Sequence, residues 1–419
     1  MSRVLVIGAG ITGITTAYTL NQHGHDVVVA DRHLYPAMET SYANGGQLSA
    51  SNAEVWNQPG TLLKGIKWML QKDAPLLLNP LPSWHKYSWL AEFAGAIRNY
   101  RTNTVATTRM AIEARQHLYD MAERENIDFN LERRGILHVY HDRAGFDVAA
   151  RSNSLLLKGG LERYAVTPEE IRNIEPTLTG TYYGGFFTPS DATGDIHRFT
   201  RGLAAAAARH GVEFRHGVEI ENMQFGDGGV TALLADVMSA GTRRRNDAER
   251  LDVDAVVICA GVGSRRLAAM CGDRLNIYPV KGYSITVQLD DEASIAGAPW
   301  VSLLDERAKI VTSRLGKDRF RVAGTAEFNG DNRDIRADRI DPLVRWVHEN
   351  FNVETSRMTP WAGLRPMMPD MMPRVQRGRQ QGVYYNTGHG HLGWTLSAAT
   401  AQLAAALVDE DLPGLSKAA

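Results

Sequence analysis

Gly8-Ala9-Gly10-Ile11-Thr12-Gly13 spaces three glycines so that a chain can turn sharply at Gly8, approach a pyrophosphate at Gly10 and lay a helix on a strand at Gly13. The N–H groups that open such a helix, at Ile11 and Thr12, would face the phosphates. Asp31, with Arg32 beside it, ends the next apolar run and is placed to accept hydrogen bonds from ribose hydroxyls. That argues against a 2′-phosphate, and so against NADP. A glycine-rich turn in an unrelated protein is the alternative, and the strand before, helix after and second strand ending at Asp31 weigh against it. This fingerprint leaves NAD and FAD both open.

Two further loops bear on that choice. Thr40, Ser41, Ala43, Asn44, Gly45, Gly46 and Gln47 form a small polar loop suited to run beside a pyrophosphate and a flavin ring, although the composition alone is that of an ordinary turn. Gly388-His389-Gly390-His391-Leu392-Gly393-Trp394-Thr395 joins a strand-like run to a helix through glycines, and can aim a helix N-terminus at the negative charge of a reduced flavin. Arg365 carries a planar guanidinium suited to grip a carboxylate with two parallel N–H groups; a structural ion pair is the other reading. Lys309, Tyr283 and His389 are further candidates to line a pocket. A solvated strand lysine, a packed tyrosine and a backbone-bonded loop histidine are the respective alternatives.

These groups need a sheet and helices to hold them. Val4-Leu5-Val6-Ile7 is an unrelieved β-branched run, as in a strand buried on both faces of a parallel sheet. Ile11 to His23 turns helical, with Gly24 at its stop, and Val27-Val28-Val29-Ala30 reads as a second buried strand. Pro59 to Tyr100 reads as helices broken by a proline-rich bend, followed by a helix from Thr104 to Glu125. Gly135–His141 and Gly180–Thr188 read as antiparallel strands. Phe199–His210 is helical, Val253–Cys259 reads as the last strand of the nucleotide-binding sheet, and Thr395–Val408 is a closing helix. Short runs between Ile277 and Glu327 predict a second, mainly antiparallel sheet. The fold class is α/β, α+β overall: a Rossmann-like domain and a second domain on that sheet.

The 419 residues suit one large composite domain or two domains sharing a cofactor. Lys and Arg total 46 against 47 Asp and Glu, so the net charge of -1 supplies no general attraction for nucleic acid. Cys259 and Cys271 lack metal or redox spacing and read as reduced structural thiols; no metal is expected. The first apolar run is broken by Gly8, Gly10 and Gly13, unlike a signal-peptide core, and no segment approaches the roughly 20 apolar residues of a membrane span. A cytoplasmic protein, at most peripheral to a membrane, is expected. The aromatics from Pro59 to Phe93 read mainly as packing, with Lys64, Lys67 and Lys72 available to lipid head groups should that segment meet a membrane.

Taken in order, these stretches resemble the small-subunit type of bacterial D-amino acid dehydrogenase, within the D-amino acid oxidase and glycine oxidase (DAO) superfamily, over nearly the whole chain. The matching residues are the N-terminal fingerprint, Glu39–Gln47, Lys64–Met69, Asp191-Ala192-Thr193-Gly194-Asp195, Tyr278–Ser284, Gly363-Leu364-Arg365-Pro366-Met367 and Thr387–Thr395. The resemblance implies non-covalent FAD, oxidative deamination of D-amino acids to 2-oxo acids and ammonia, and electron delivery to a quinone or dye. It gives Arg365 the carboxylate. It also implies a discontinuous FAD domain, set at 1-60, 191-272 and 355-419, with a substrate domain at 61-190 and 273-354. Expected cofactor contacts extend to Val218, Ala260 and Gly261. One departure stands out: where the family reads Thr-Pro-Asp-Gly, this chain has Met368-Pro369-Asp370-Met371, followed by Arg374. That leaves the substrate side chain open. A D-proline, hydroxyproline or secondary-amine dehydrogenase, a flavin-bearing electron-relay subunit and an NAD enzyme are the competing readings.

Overall fold

Val4 and Val6 enter one hydrophobic core while Leu5 and Ile7 enter another, and the same alternation recurs at Val27 to Ala30 and at Ala255 to Ile258. A strand whose two pleat faces both meet apolar layers has no polar position to alternate with. The computed structural model describes residues 1–58, 60, 76–226, 229–237 and 249–412. These strands form a six-stranded sheet in the order Arg374–Arg377, Val383–Thr387, Ala255–Ile258, Arg3–Ile7, Asp26–Asp31, Glu213–His216. It is parallel apart from the outermost Arg374–Arg377 pairing.

One face carries the helices Ile11–Gln22, Ile196–Arg209 and Gly393–Asp411; the other is covered by an antiparallel meander of Val218–Gly226, Gly229–Asp236 and Glu249–Val253. The apolar run expected as one strand at Val253–Cys259 is therefore split. Glu249–Val253 ends in the meander and Ala255–Ile258 begins in the parallel sheet, where it is a central strand rather than the last.

The second sheet has nine strands and is antiparallel except where Ser302–Asp305 meets Ile136–Tyr140 and Arg319–Phe328 meets Leu76–Leu78. The helix Ala337–Asn350 packs on one of its faces through Leu343 and Val347. Two expected boundaries move. Met358–Met367 pairs along its length with Tyr278–Gln288, so it belongs to this sheet and not to the nucleotide unit assigned from 355. Pro360 and Pro366 hid the strand, and they are tolerated because it is the sheet's edge. Conversely, the helix Tyr100–Arg124 sets Leu118 and Met121 in the same core as Val4 and Ile14, on the nucleotide side.

The predicted Lys64–Met69 motif, with Lys72, lies outside the described residues; the proline-rich bend beyond it leads to a helix, Trp84–Gly95, capped by Ser83. Among the described residues no helix is long and apolar enough to cross a membrane, and no three His, Cys, Asp or Glu side chains cluster as metal ligands. Cys259 and Cys271 are free and buried, and burial pushes their thiols up to about 12 and about 11.

Candidate active site and cofactor cradle

At the first strand-to-helix turn, Gly8 has φ +114°, and a Cβ there would stand 2.7 Å from the Cys259 carbonyl oxygen. A Cβ at Gly13 would stand 1.8 Å from Gly8 O, so the helix lies on the turn as closely as backbone permits. Gly10, at the N-cap of the Ile11–Gln22 helix, has no side chain to cap it, and no acid sits in the first turn. Asp31 is held from both sides: Ala9 N donates to Oδ2 at 2.6 Å and His33 N to Oδ1 at 2.7 Å. Ser41 Oγ accepts from Ile11 N at 3.0 Å. Arg32 is turned outward onto Glu39. Val218 packs partly against the meander core, and Ala260 and Gly261 follow the central strand alongside Gly8.

The second helix terminus faces the same way. Thr15 Oγ1 donates to Ser397 O at 3.3 Å near the starts of Ile11–Gln22 and Gly393–Asp411, and His23 and His25 meet Asp409 near their ends. The helices are parallel, so their positive ends lie side by side. Gly393–Asp411 also begins without a side-chain cap or an acid in its first turn.

Between the two sheets runs the 40–47 loop, gripped by the second. Ser284 Oγ donates to Ala43 O (2.7 Å), Arg321 Nη1 to Asn44 O (2.9 Å) and Ser313 Oγ to Gly45 O (2.6 Å). A Cβ at Gly45 would meet Val311 Cγ2 at 2.7 Å, and one at Gly46 would meet Ser313 Oγ at 2.8 Å. Thr40 Oγ1 donates to Leu364 O at 2.9 Å, tying the loop to the strand that carries Arg365. Gln47 is spent on Ser302 and Leu303. These residues fit FAD: two positive helix ends with no acid in the first turn, glycines where a Cβ would foul backbone, an oriented carboxylate at Asp31, and Trp394 Nε1 buried without a partner among the described residues.

Arg365 lies flat on the backbone of Gly282, where a Cβ would stand 2.3 Å from Nη2. Its Nη1 donates to Thr325 O at 3.1 Å, and it forms no ion pair among the described residues. Burial alone lowers its pKa to about 10. Thr325 has φ +61° and sits where the Arg319–Phe328 strand takes three steps to its neighbour's two, a bulge. Continuing the Ile310–Gly324 register places Lys309, at φ +55°, directly opposite. Two non-glycine residues in the left-handed region thus face each other beside Arg365, and such strain concentrates at functional sites. Lys309 pairs with Glu306; burial opposes its charge, yet Glu306, Glu54 and Asp305 outweigh that and raise its pKa.

His391 joins this recess. Its Nε2 lies 3.2 Å from Asn52 O, its ring stacks on Trp56 at 4.8 Å, and Nδ1 has no partner among the described residues. Burial, with Arg365 and Lys309 nearby, lowers its pKa to about 4, so it is neutral at ordinary pH.

Two expected pocket residues are placed elsewhere. Successive residues of a strand point to opposite faces, so with Gly282 and Ser284 toward the loop, Tyr283 points away, into the core with Leu343, its hydroxyl bonded to Glu327 at 2.7 Å. His389 is buried against the closing helix, with Nε2 2.9 Å from Thr400 Oγ1, and burial lowers its pKa to about 3. The histidine of that loop that reaches the recess is His391. Arg374 binds Asp370 at 3.0 Å and Met372 O, and Met371, at φ +63°, is buried with Trp89 and Phe93. Sequence reading missed Thr325, whose carbonyl meets Arg365, and Trp56, whose ring stacks on His391.

The sequence profile of the family described as "FAD dependent oxidoreductase" (DAO) matches residues 3–407. The chain is 59% identical over 414 residues to D-amino acid dehydrogenase 3 of Mesorhizobium japonicum, covering 99% of this chain and 98% of that protein. It is 41% identical over 418 residues to D-amino acid dehydrogenase of Paramagnetospirillum magneticum, covering 97% and 94%. Among solved structures, glycine oxidase from Geobacillus kaustophilus superposes with a TM-score of 0.72 at 20% identity, covering 98% of this chain and 96% of that one. L-proline dehydrogenase from P. horikoshii gives 0.72 at 15% identity, covering 99% and 96%.

Proposed function

Since the chain belongs to the DAO family of FAD-dependent oxidoreductases, we propose that it dehydrogenates D-amino acids, giving 2-oxo acids and ammonia and passing the electrons to a quinone or a dye. The observation that carries this reading is Arg365: a desolvated guanidinium with one carbonyl partner and no ion pair among the described residues, in a recess beside the 40–47 loop. A half-buried cation without a counter-ion among the described residues is costly, and a substrate carboxylate lowers that cost. The names of the two relatives above support the D-amino acid class.

Bound FAD supplies the two-electron acceptor for a hydride leaving the substrate's Cα. The protein's own part is placement. Arg365 fixes the carboxylate with parallel N–H donors, which leaves the amine and Cα little freedom to turn. Thr325 Oγ1 and His391 Nδ1, without partners among the described residues, offer polar partners near Arg365. With the amine deprotonated, no strong side-chain base is needed, and neutral His391 adds no positive charge against the substrate's amine. Water then hydrolyses the released imino acid. The electron acceptor approaches afterwards, and a peripheral position on the inner face of a membrane suits a quinone.

The test is anaerobic reduction of the purified holoprotein, followed by its flavin absorbance, while D-amino acids, their L-enantiomers and D-proline are added in turn. Bleaching by D-amino acids and not by their enantiomers is the expected result. A flavin that no amino acid bleaches would overturn the reading.

A further inference from the structure

A bulge lies beside Arg365 in its own sheet. On the Tyr278–Gln288 strand Lys281 and Tyr283 are separated by Gly282 alone, while their partners on Arg319–Phe328, Glu327 and Gly324, are separated by Thr325 and Ala326. Thr325, at φ +61°, gives its carbonyl to Arg365 Nη1 at 3.1 Å, and the guanidinium lies on Gly282. The bulge and the carboxylate anchor are therefore in direct contact, on the face that meets the 40–47 loop. That carbonyl is the one hydrogen-bond partner of Arg365 among the described residues, so a shift of the bulge passes straight to the guanidinium.

The opposite face of the same stretch is held by a buried carboxylate. Lys281 and Tyr283 both point there, because side chains alternate along a strand. Glu327 Oε2 accepts from the Tyr283 hydroxyl at 2.7 Å and lies 3.2 Å from Lys281 Nζ, so one oxygen ties the two residues that bracket Gly282. The other oxygen takes Asn329 Nδ2 at 3.2 Å and Arg336 Nη1 at 3.3 Å. Lys281 Nζ also donates to Asn332 Oδ1 at 2.6 Å and stands 5.2 Å from the centre of the Tyr283 ring. Without the extra residue, Gly282 would pair with Thr325 and Val280 with Glu327, and the glutamate would turn to the other face. Glu327 thus reaches Lys281 and Tyr283 only when the bulge is present, and its hold on them keeps the bulge in place. A buried ion pair adds little net stability, but it is exacting about register.

We infer that Glu327, with Tyr283 and Lys281, is a positioning group for Arg365. From the far side of the sheet it fixes the bulge whose carbonyl sets the guanidinium, and so governs the grip on the substrate's carboxylate without touching substrate. This rests on Arg365 binding that carboxylate. The cluster also anchors the 329–336 segment through Asn329, Asn332 and Arg336. Anchoring alone would lower stability on loss of the cluster and leave Arg365 as it was.

A double-mutant cycle on the holoenzyme separates the two roles, with kcat/KM for D-amino acids, flavin content and melting temperature measured for each form. Tyr283→Phe removes one hydroxyl and keeps the ring in its core site. It should retain its flavin and lower kcat/KM by about tenfold, yet by less than about twofold when Arg365 is already Lys, because groups that act through one another do not add. Glu327→Gln, which leaves Lys281 without its counter-ion, should show the same coupling with a larger loss. Equal factors in both backgrounds, or a lower melting temperature with kcat/KM unchanged, would reduce the cluster to an anchor and overturn the inference. Loss of flavin from both variants would overturn it too. If no D-amino acid reduces the wild-type flavin, the D-amino acid dehydrogenase reading has failed; if reduction occurs and the two losses multiply, only this inference has.

Discussion

At the Gly8–Gly13 turn the molecule presents backbone: amides, a helix end, and glycines whose missing Cβ atoms let main chain lie against main chain. At the recess it presents side chains, delivered by the 52–58 segment, the Lys309 turn, the Thr325 bulge, the Arg365 edge strand and the His391 loop. The first is a local device written in six consecutive residues. The second is an assembly whose parts are far apart in sequence and meet only when both sheets have formed. A backbone site tolerates almost no added atom and dictates no substrate, whereas a side-chain site can be altered one group at a time with the cofactor still in place.

The sharpest way to break that contrast is Gly13→Val. A Cβ 1.8 Å from Gly8 O forces the helix off the strand, and overpacking of this kind costs about 1–3 kcal/mol or more. The expected product is a colourless, less stable protein, checked by flavin content per chain and by thermal melting. Arg365→Lys should do the opposite: flavin content unchanged, kcat/KM down roughly a hundredfold. A lysine keeps the charge, but loses the fork that grips both carboxylate oxygens. A variant that lost its flavin along with its activity would merge the two regions rather than separate them.

Acid sharpens the comparison more gently. His389 and His391 titrate at about 3 and about 4 in the folded chain, below the free value of 6.5. A histidine depressed by folding contributes stability that is present above about pH 6.5 and is lost as pH falls toward the folded value, because the unfolded chain binds the proton first. Melting temperature should therefore fall between pH 6.5 and 4, and His389→Asn should flatten that slope. The effect is on the order of a few kcal/mol. Smallest is Met371→Gly. It relieves about 1 kcal/mol of left-handed strain but empties a buried methionine site against Trp89 and Phe93, where truncation costs about 2–5 kcal/mol. A net loss of about 1–3 kcal/mol by denaturant titration is expected, with FAD binding unchanged.

What the sequence disclosed follows the same division. Gly8, Gly10, Gly13 and Asp31 could be read because strand, turn and helix are contiguous, and the parallel strands could be read because two buried faces leave no polar residue. Arg365 was singled out by its guanidinium and by resemblance rather than by strand pattern, since Pro360, Gly363 and Pro366 disguise its strand. Tyr283 went astray because pleat parity, which decides which face a strand residue sees, needs a reference residue, and only the loop contacts of Ser284 provide one. His389 and His391 are two apart in a loop, where no periodicity tells which will turn inward.

Lys309 and Thr325, facing each other in the left-handed region, also bear on thermostabilisation. A stabilising design would place glycine or asparagine at both, for about 1 kcal/mol or more apiece. Those two substitutions would also strip out the ammonium that balances Glu306 and reshape the bulge whose carbonyl orients Arg365. The positions that look most improvable in this fold are thus the ones a stability-driven library should hold fixed.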